Sequence, residues 1–314
     1  MTKPLRIVFM GTPDFAIPTL QALCTHDGYT VVAVFTQPDK PKGRGYQLLP
    51  PPVKTFAQKE QIPVFQPKTL KEESVLQDLR TLCPDVIVVV AYGKILPQAV
   101  LELPRYGCIN VHGSLLPAYR GAAPMQRAIL EGQKKTGITT MQMAQGLDTG
   151  DMLLRAELPI LPDDNFETVH DKLSALGATT LIQTLEQLDT LSPQKQDEAF
   201  ATYAAKIEKE DCELHFSDDA VSLHNRIRAL SPIPLTFTHL KGKLLKITAA
   251  HVADETACAN AIPGTILLAE NGQLHVACGK GILAIDGVLP EGKSRMSVAD
   301  FLRGRQGLCG EVLG

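Results

Sequence analysis

Long apolar runs, cysteine pairs, tryptophan and an excess of either charge are all missing from this 314-residue chain. No stretch reaches the ~18 consecutive apolar residues that a membrane-spanning helix requires, which excludes a helical membrane protein. The seven cysteines (24, 83, 108, 212, 258, 278 and 309) are odd in number and never spaced C-x-x-C. They therefore form neither a disulfide framework nor a zinc ribbon, and a reducing compartment is expected. No histidine pair sits at metal-ligand spacing, so no metal is expected. Lysine and arginine number 31 against 34 aspartates and glutamates, a net charge of −3 that confines any basic patch to one locality. A dinucleotide turn of the G-x-G-x-x-G kind is absent too. Residues 1–4 lead directly into an apolar run, so no signal or transit peptide is expected, and the cytoplasm is the expected location.

What is present is an ordinary globular balance, 44% hydrophobic and 21% charged, on a length that suits roughly two domains. The first half alternates apolar runs ("LRIVFMG" at 5–11, "TVVAVFT" at 30–36, "DVIVVVAYG" at 85–93, "GCINVH" at 107–112) with amphipathic segments at 14–24, 53–60 and 71–82. Continuous apolar strands separated by helices predict a doubly wound, mostly parallel, Rossmann-like α/β sheet over residues 1–190. Two more strands are expected at 137–144 and 151–160, then a long helix at 166–188. Residues 191–206 are polar and aperiodic, and read as a linker.

Residues 207–314 change character. After one helix at 219–230 come five short strand-like runs joined at Lys241-Gly242-Lys243, Asn271-Gly272 and Gly279-Lys280-Gly281, all turns suited to hairpins. They predict a small C-terminal β-barrel, OB-like in kind.

"CINVHGSLLPAYRGAAP" (108–124) carries the chemistry. Asn110 and His112 lie two apart on a strand, so both side chains face one way. They fall at the strand's C-terminal end, where ligands bind in doubly wound sheets. "QGLDTGD" (145–151) can add Asp148, with Gly146 and Gly150 permitting a close approach. A carboxamide that can donate to an oxygen gaining charge, an imidazole that can move protons and a carboxylate that can orient it suit acyl transfer to an amine. Taken alone, an N-x-H pair more often satisfies backbone groups at a sheet edge.

"NVHGSLLPAYRGAAP" followed by "GLDTGD" resembles the folate-dependent formyltransferase family. The resemblance implies that Asn110, His112 and Asp148 form the active site and that 10-formyltetrahydrofolate is the co-substrate. It also implies that Ser114, Leu115, Leu116 and Pro117, with Ala91, Tyr92 and Gly93, wall the folate. The turn "MGTPDFA" (10–16) has one glycine and no phosphate cradle, which argues against glycinamide ribonucleotide as the acceptor. That turn, "QPDKPKGRG" (37–45), "RGAAPMQRAI" (120–129) and "PGTIL" (263–267) are similar to the branch that formylates methionine on initiator tRNA.

On that branch the 39–45 loop reaches the tRNA acceptor end. Lys40, Lys42 and Arg44 are thereby implied as tRNA contacts, with Arg44 matching an important family arginine. From Ser222 to Val252 there are five basic residues and no acidic one, and Arg226, Lys241 and Lys243 are candidate phosphate contacts there. The barrel is expected to bind the acceptor arm, and the chain to act as a monomer off any membrane. Ala118-Tyr119 and Ile233 stand where many relatives carry Arg-Trp and Trp. An amino sugar or water as acceptor, or a non-enzymatic RNA-binding role, stay open on the residues alone. "GVLPEGKS" (287–294) spells a P-loop but leaves too little chain for its helix and sheet, and reads as a turn.

Overall fold

The computed structural model describes residues 3–42, 47–257 and 261–314, and the chain divides into two compact units. Unit 1 comprises Met1–Gly121, Thr136–Pro159 and His170–Ala204, and unit 2 comprises Ala122–Lys135, Ile160–Val169 and Ala205–Gly314.

The chain opens with β1 (Leu5–Gly11), α1 (Ile17–Thr25), β2 (Tyr29–Phe35), the paired β3 (Lys40–Lys42) and β4 (Gln47–Leu49), α2 (Pro52–Lys59) and β5 (Val64–Phe65). It continues through α3 (Glu73–Leu82), β6 (Val86–Val90), α4 (Gln98–Leu101), β7 (Cys108–His112), β8 (Arg120–Gly121), α5 (Pro124–Leu130), β9 (Lys135–Gln142), β10 (Met152–Pro159), α6 (Phe166–Glu186) and β11 (Tyr203–Ala204). A seven-stranded sheet in the order β10-β9-β7-β6-β1-β2-β5 forms the centre of unit 1. Strands β5, β2, β1, β6 and β7 run parallel, and β9 joins antiparallel to β7.

Every residue of β6 and β7 is buried, which is why β6 is apolar without alternation, whereas β7 carries Asn110 and His112 on one face. On one face Val8, Met10, Phe35, Ile87, Val89 and Cys108 pack with Val75, Leu76 and Leu79 of α3 and Val100 and Leu101 of α4. On the other, α6 approaches Val111 and Ile138 at Gly177. Fully burying each such aliphatic side chain stabilises by about 1.5–3 kcal/mol.

Three expectations need adjusting. The segment 14–24 begins as a single 3-10 turn over Asp14–Ala16, and α1 starts only at Ile17, with a proline in its first turn. The strand expected over 85–93 stops at Val90, because Ala91 (φ 46°) and Gly93 (φ 75°) turn left-handed. The stretch 191–206, read as a linker, is held to unit 1 through Ala204. Gln194 bridges Met152, and β11 pairs with β8. Two of its polar side chains, Gln196 and Thr202, bond to backbone groups of unit 1, so part of its polarity serves the fold.

In unit 2, α7 (Ala220–Ala229) is followed by β12 (Thr236–Leu240), β13 (Lys243–Asp254), β14 (Ile266–Glu270), β15 (Gln273–Ala277), β16 (Ile282–Pro290), β17 (Met296–Ser297) and α8 (Val298–Leu302). The strand order is β12-β13-β16-β15-β14 with β17 on β16, and the pairings along that path are antiparallel. Lys241-Gly242 and Asn271-Gly272 take positive φ at both positions, the two-residue hairpin turn their sequences suggest. Residues 310–314 close the sheet into a barrel. Leu313 pairs with Leu240 next to one edge, and Val312 with Thr265 next to the other. Leu223, Ile227, Ile247, Val276, Ile285 and Leu313 fill the interior. The P-loop look-alike is the end of β16 and the turn after it, with no helix opening at Ser294.

Candidate active site

Strand β7 sets Asn110 beside Val89 of β6 and Met141 of β9, and His112 beside Thr139 of β9. Alternation aims both polar side chains to one face, opposite Val111. Both are nearly enclosed, Asn110 at 9% exposure and His112 at 6%. His112 Nε2 lies 2.9 Å from the Tyr119 carbonyl oxygen. A carbonyl only accepts, so Nε2 carries the proton and Nδ1 is the exchangeable position. Asp148 Oδ2 stands 3.6 Å from Nδ1, within ion-pair range but too far for a hydrogen bond.

Asp148 reaches this point from the loop between β9 and β10, and its own backbone is left-handed (φ 54°). Three contacts hold it there. Gly121 N–H donates to Oδ2 at 2.9 Å, and Gln196 Nε2 donates to the carbonyl oxygens of Asp148 at 2.7 Å and Gly150 at 2.8 Å. A Cβ at Gly150 would lie 1.7 Å from the Gln142 carbonyl oxygen, so only glycine allows the loop to close. Structure therefore brings Asn110, His112 and Asp148 to one region of unit 1. Among the described residues, none hydrogen-bonds the Asn110 carboxamide, which leaves a shielded donor uncommitted.

Ser114–Pro117 leaves His112 as a self-tied turn. Ser114 Oγ donates to Ala118 O at 2.6 Å, and Thr139 Oγ1 donates to Ser114 O at 2.7 Å while accepting from Leu116 N at 3.0 Å. Leu115, Leu116 and Pro117 line an open cavity of 430 Å³ with Met152 and Phe200, rimmed by Arg155, Lys195 and Asp197. Ala91 and Gly93 are exposed, but the Tyr92 side chain is buried in the sheet core at 1% exposure. The 91–93 turn thus presents backbone, not an aromatic ring. Burial pushes the Tyr92 phenol up to about 12.

The basic candidates fall in different units. Lys40 lies exposed on β3, its Nζ 2.7 Å from Gln37 Oε1. Lys42 ends β3, and Arg44 lies outside the described residues. In unit 2, Arg226 donates to Glu213 O at 3.1 Å and stands 3.7 Å from Asp218, and Lys241 pairs with Glu311 at 3.1 Å. Lys243 is exposed.

Sequence reasoning missed the residues behind Asp148. Arg120, 8% exposed, donates from Nε to Gln196 Oε1 at 2.9 Å and from its two other nitrogens to Glu198 at 3.0 and 2.8 Å. That fork holds the Glu198 carboxyl below the usual carboxylate range. Thr202 Oγ1 accepts from Tyr119 N at 2.8 Å, steadying the carbonyl on His112. No spacing in the sequence points to these partners.

A doubly wound sheet with an amide, an imidazole and a carboxylate at its C-terminal edge, followed by an antiparallel barrel, is the layout of a formyl transferase. The family model described as formyl transferase matches residues 5–185, and the formyl transferase C-terminal domain model matches 206–306. Methionyl-tRNA formyltransferase of Geotalea uraniireducens is 47% identical over 312 residues, covering 99% of this chain and 98% of that one. The Hydrogenovibrio crunogenus enzyme of the same name is 48% identical over 316 residues and covers 100% of both chains. The solved structure of methionyl-tRNA formyltransferase from Clostridium thermocellum matches the fold with a TM-score of 0.53 at 19% identity, over 79% of this chain and 93% of that one. The chain belongs to the methionyl-tRNA formyltransferase family. Among the described residues, no helix is long and apolar enough to cross a membrane.

Proposed function

We propose that the chain moves the formyl group of 10-formyltetrahydrofolate to the α-amino group of methionine on initiator tRNA, as a cytoplasmic monomer. Identity of 47–48% to the named relatives over nearly the whole length supports the reaction. The observation that carries the chemistry is the shielded, uncommitted Asn110 carboxamide two residues from a histidine whose Nδ1 faces Asp148 at 3.6 Å.

The donor supplies an electrophilic formyl carbon bound to a folate nitrogen. The methionine amine attacks that carbon, and the bond to the folate nitrogen breaks. Asn110 donates to the formyl oxygen as it gains charge. His112 Nδ1 takes the proton the amine loses and returns it to the departing folate nitrogen. Asp148 steadies the doubly protonated ring, and Tyr119 O fixes its orientation. Ser114–Pro117 and the Ala91–Gly93 backbone wall the folate.

Lys40, Lys42 and Arg44, with Arg226, Lys241 and Lys243, bind the acceptor arm. Exposure of Lys40 and Lys243 supports this, whereas Arg226 already serves the backbone of Glu213. A single unit supplies all three catalytic residues, which supports a monomer, and the six described cysteines are free, which supports a reducing compartment. The test is formyl transfer to methionine-charged initiator tRNA against elongator tRNA. Formylmethionine on the initiator is the expected product. Equal transfer to both, or none, overturns the reading.

A further inference from the structure

At the C-terminal ends of β6 and β2, one side chain ties two segments together. Gln37 Nε2 donates to the carbonyl oxygens of Tyr92 at 3.0 Å and Gly93 at 3.3 Å. Its Oε1 accepts from Lys40 Nζ at 2.7 Å. Thr12 Oγ1 shares the Tyr92 carbonyl at 3.0 Å. The approach is close enough that a Cβ at Gly93 would sit 2.5 Å from Gln37 Nε2. The backbone of Gln37 is itself anchored. Gln66 Nε2 donates to Gln37 O and to Asp39 Oδ1, each at 2.8 Å, and Lys54 grips both Asp39 oxygens at 2.9 and 2.8 Å. These bonds hold the Asp39 carboxyl below its ordinary range. Lys94, next after Gly93, has its ammonium pulled down first by burial and then by Lys40.

We infer that Gln37 is a positioning residue that couples the donor site to Lys40. This rests on the proposed function, in which the Ala91–Gly93 turn walls the folate and Lys40 engages tRNA. A carboxamide is suited to the task because it has a donor end for the two carbonyls and an acceptor end for the lysine. Folate that settles the 91–93 turn therefore settles Lys40, and tRNA that engages Lys40 settles the turn. Coupling of this sort is reciprocal and commonly amounts to about 5–150-fold in affinity.

The experiment measures initiator tRNA affinity with and without saturating tetrahydrofolate, a ligand that cannot react. In the unaltered protein tetrahydrofolate should tighten tRNA binding at least about fivefold. Two variants separate the ends of the carboxamide. Gln37→Glu keeps an acceptor for Lys40 but cannot donate to Tyr92 O or Gly93 O, and Gln37→Met keeps the length and loses every bond. Both should stay folded at the assay temperature, melting somewhat below the unaltered protein for want of the lost bonds, still bind tetrahydrofolate, and show one tRNA affinity whether folate is present or not. Should the unaltered protein formylate initiator tRNA yet show no such tightening, or either variant retain it, the inference is overturned while the function stands. Failure of the unaltered protein to formylate removes the function and the inference together.

Discussion

Gln196 holds Asp148 by the backbone, its Nε2 donating 2.7 Å to the Asp148 carbonyl oxygen and 2.8 Å to that of Gly150. The residue whose carboxylate stands 3.6 Å from His112 Nδ1 is thus kept left-handed by a side chain 48 positions away. Removing the amide frees both carbonyls and lets the loop relax. Gln196→Leu should lower kcat about tenfold to a hundredfold, since displacing a reacting group by ~1 Å can cost that much. Three lost hydrogen bonds, these two and the one that Arg120 Nε donates to Gln196 Oε1, should also reduce unfolding stability by about 2–4 kcal/mol. Steady-state kinetics alongside denaturant melts check both. An unchanged kcat would show that the Asp148 loop holds itself.

Asn110 tests the oxyanion role. Replacement by alanine removes the donor without breaking a hydrogen bond among the described residues, since none of them bonds the carboxamide. Asn110→Ala should reduce kcat by about 10²–10³, with tetrahydrofolate affinity and tRNA KM nearly unmoved. A variant with near-full turnover would return Asn110 to an ordinary sheet position.

Much of this site could be read before folding. Alternation along "CINVH" places Asn110 and His112 on one face, and "GLDTGD" announces a turn that only Gly150 can close. The parallel order was legible because strands buried on both faces lose their polar alternation, as β6 does. Lys241-Gly242 and Asn271-Gly272 announced their hairpins for a local reason, positive φ at both positions. What stayed hidden acts at long range. Gln196, Arg120 and Thr202 satisfy backbone and carboxylate groups across the fold, and such bonds impose no period on the sequence. Gln37 meets Tyr92 across 55 residues for the same reason. Barrel closure by Val312 and Leu313 rests on single bridges, too short to show as strands.

Cys108 should be inert. It is fully buried on β7, and burial pushes its thiol up to about 12. Cys83 and Cys309 are exposed, whereas Cys24, though exposed, is raised to about 11 by partial burial and by Glu60. Thiol labelling of the native protein at pH 8, mapped by mass spectrometry, should therefore modify Cys83 and Cys309 first among the six described cysteines. Cys108 should react only after unfolding. Rapid native labelling at Cys108 would mean that β7 opens locally.

Asp148 has two separable jobs, one mechanical and one electrical. Its Oδ2 accepts the Gly121 amide, and the same oxygen faces His112 Nδ1. Asp148→Asn preserves the first, because a carboxamide oxygen also accepts, and the backbone bonds from Gln196 do not involve the side chain. Only the negative charge beside the imidazole is removed. If the charge stabilises the protonated ring during transfer, kcat should fall about 10²–10⁴-fold, the range of a general acid–base contribution. Both KM values and the melting temperature should hardly move. If Asp148 serves merely to pin the loop through Gly121, the asparagine variant will turn over almost normally. Asp148→Ala, which loses both jobs, should then lose activity and stability together. The two variants assayed side by side therefore distinguish charge from scaffold at the one position where His112 meets its carboxylate.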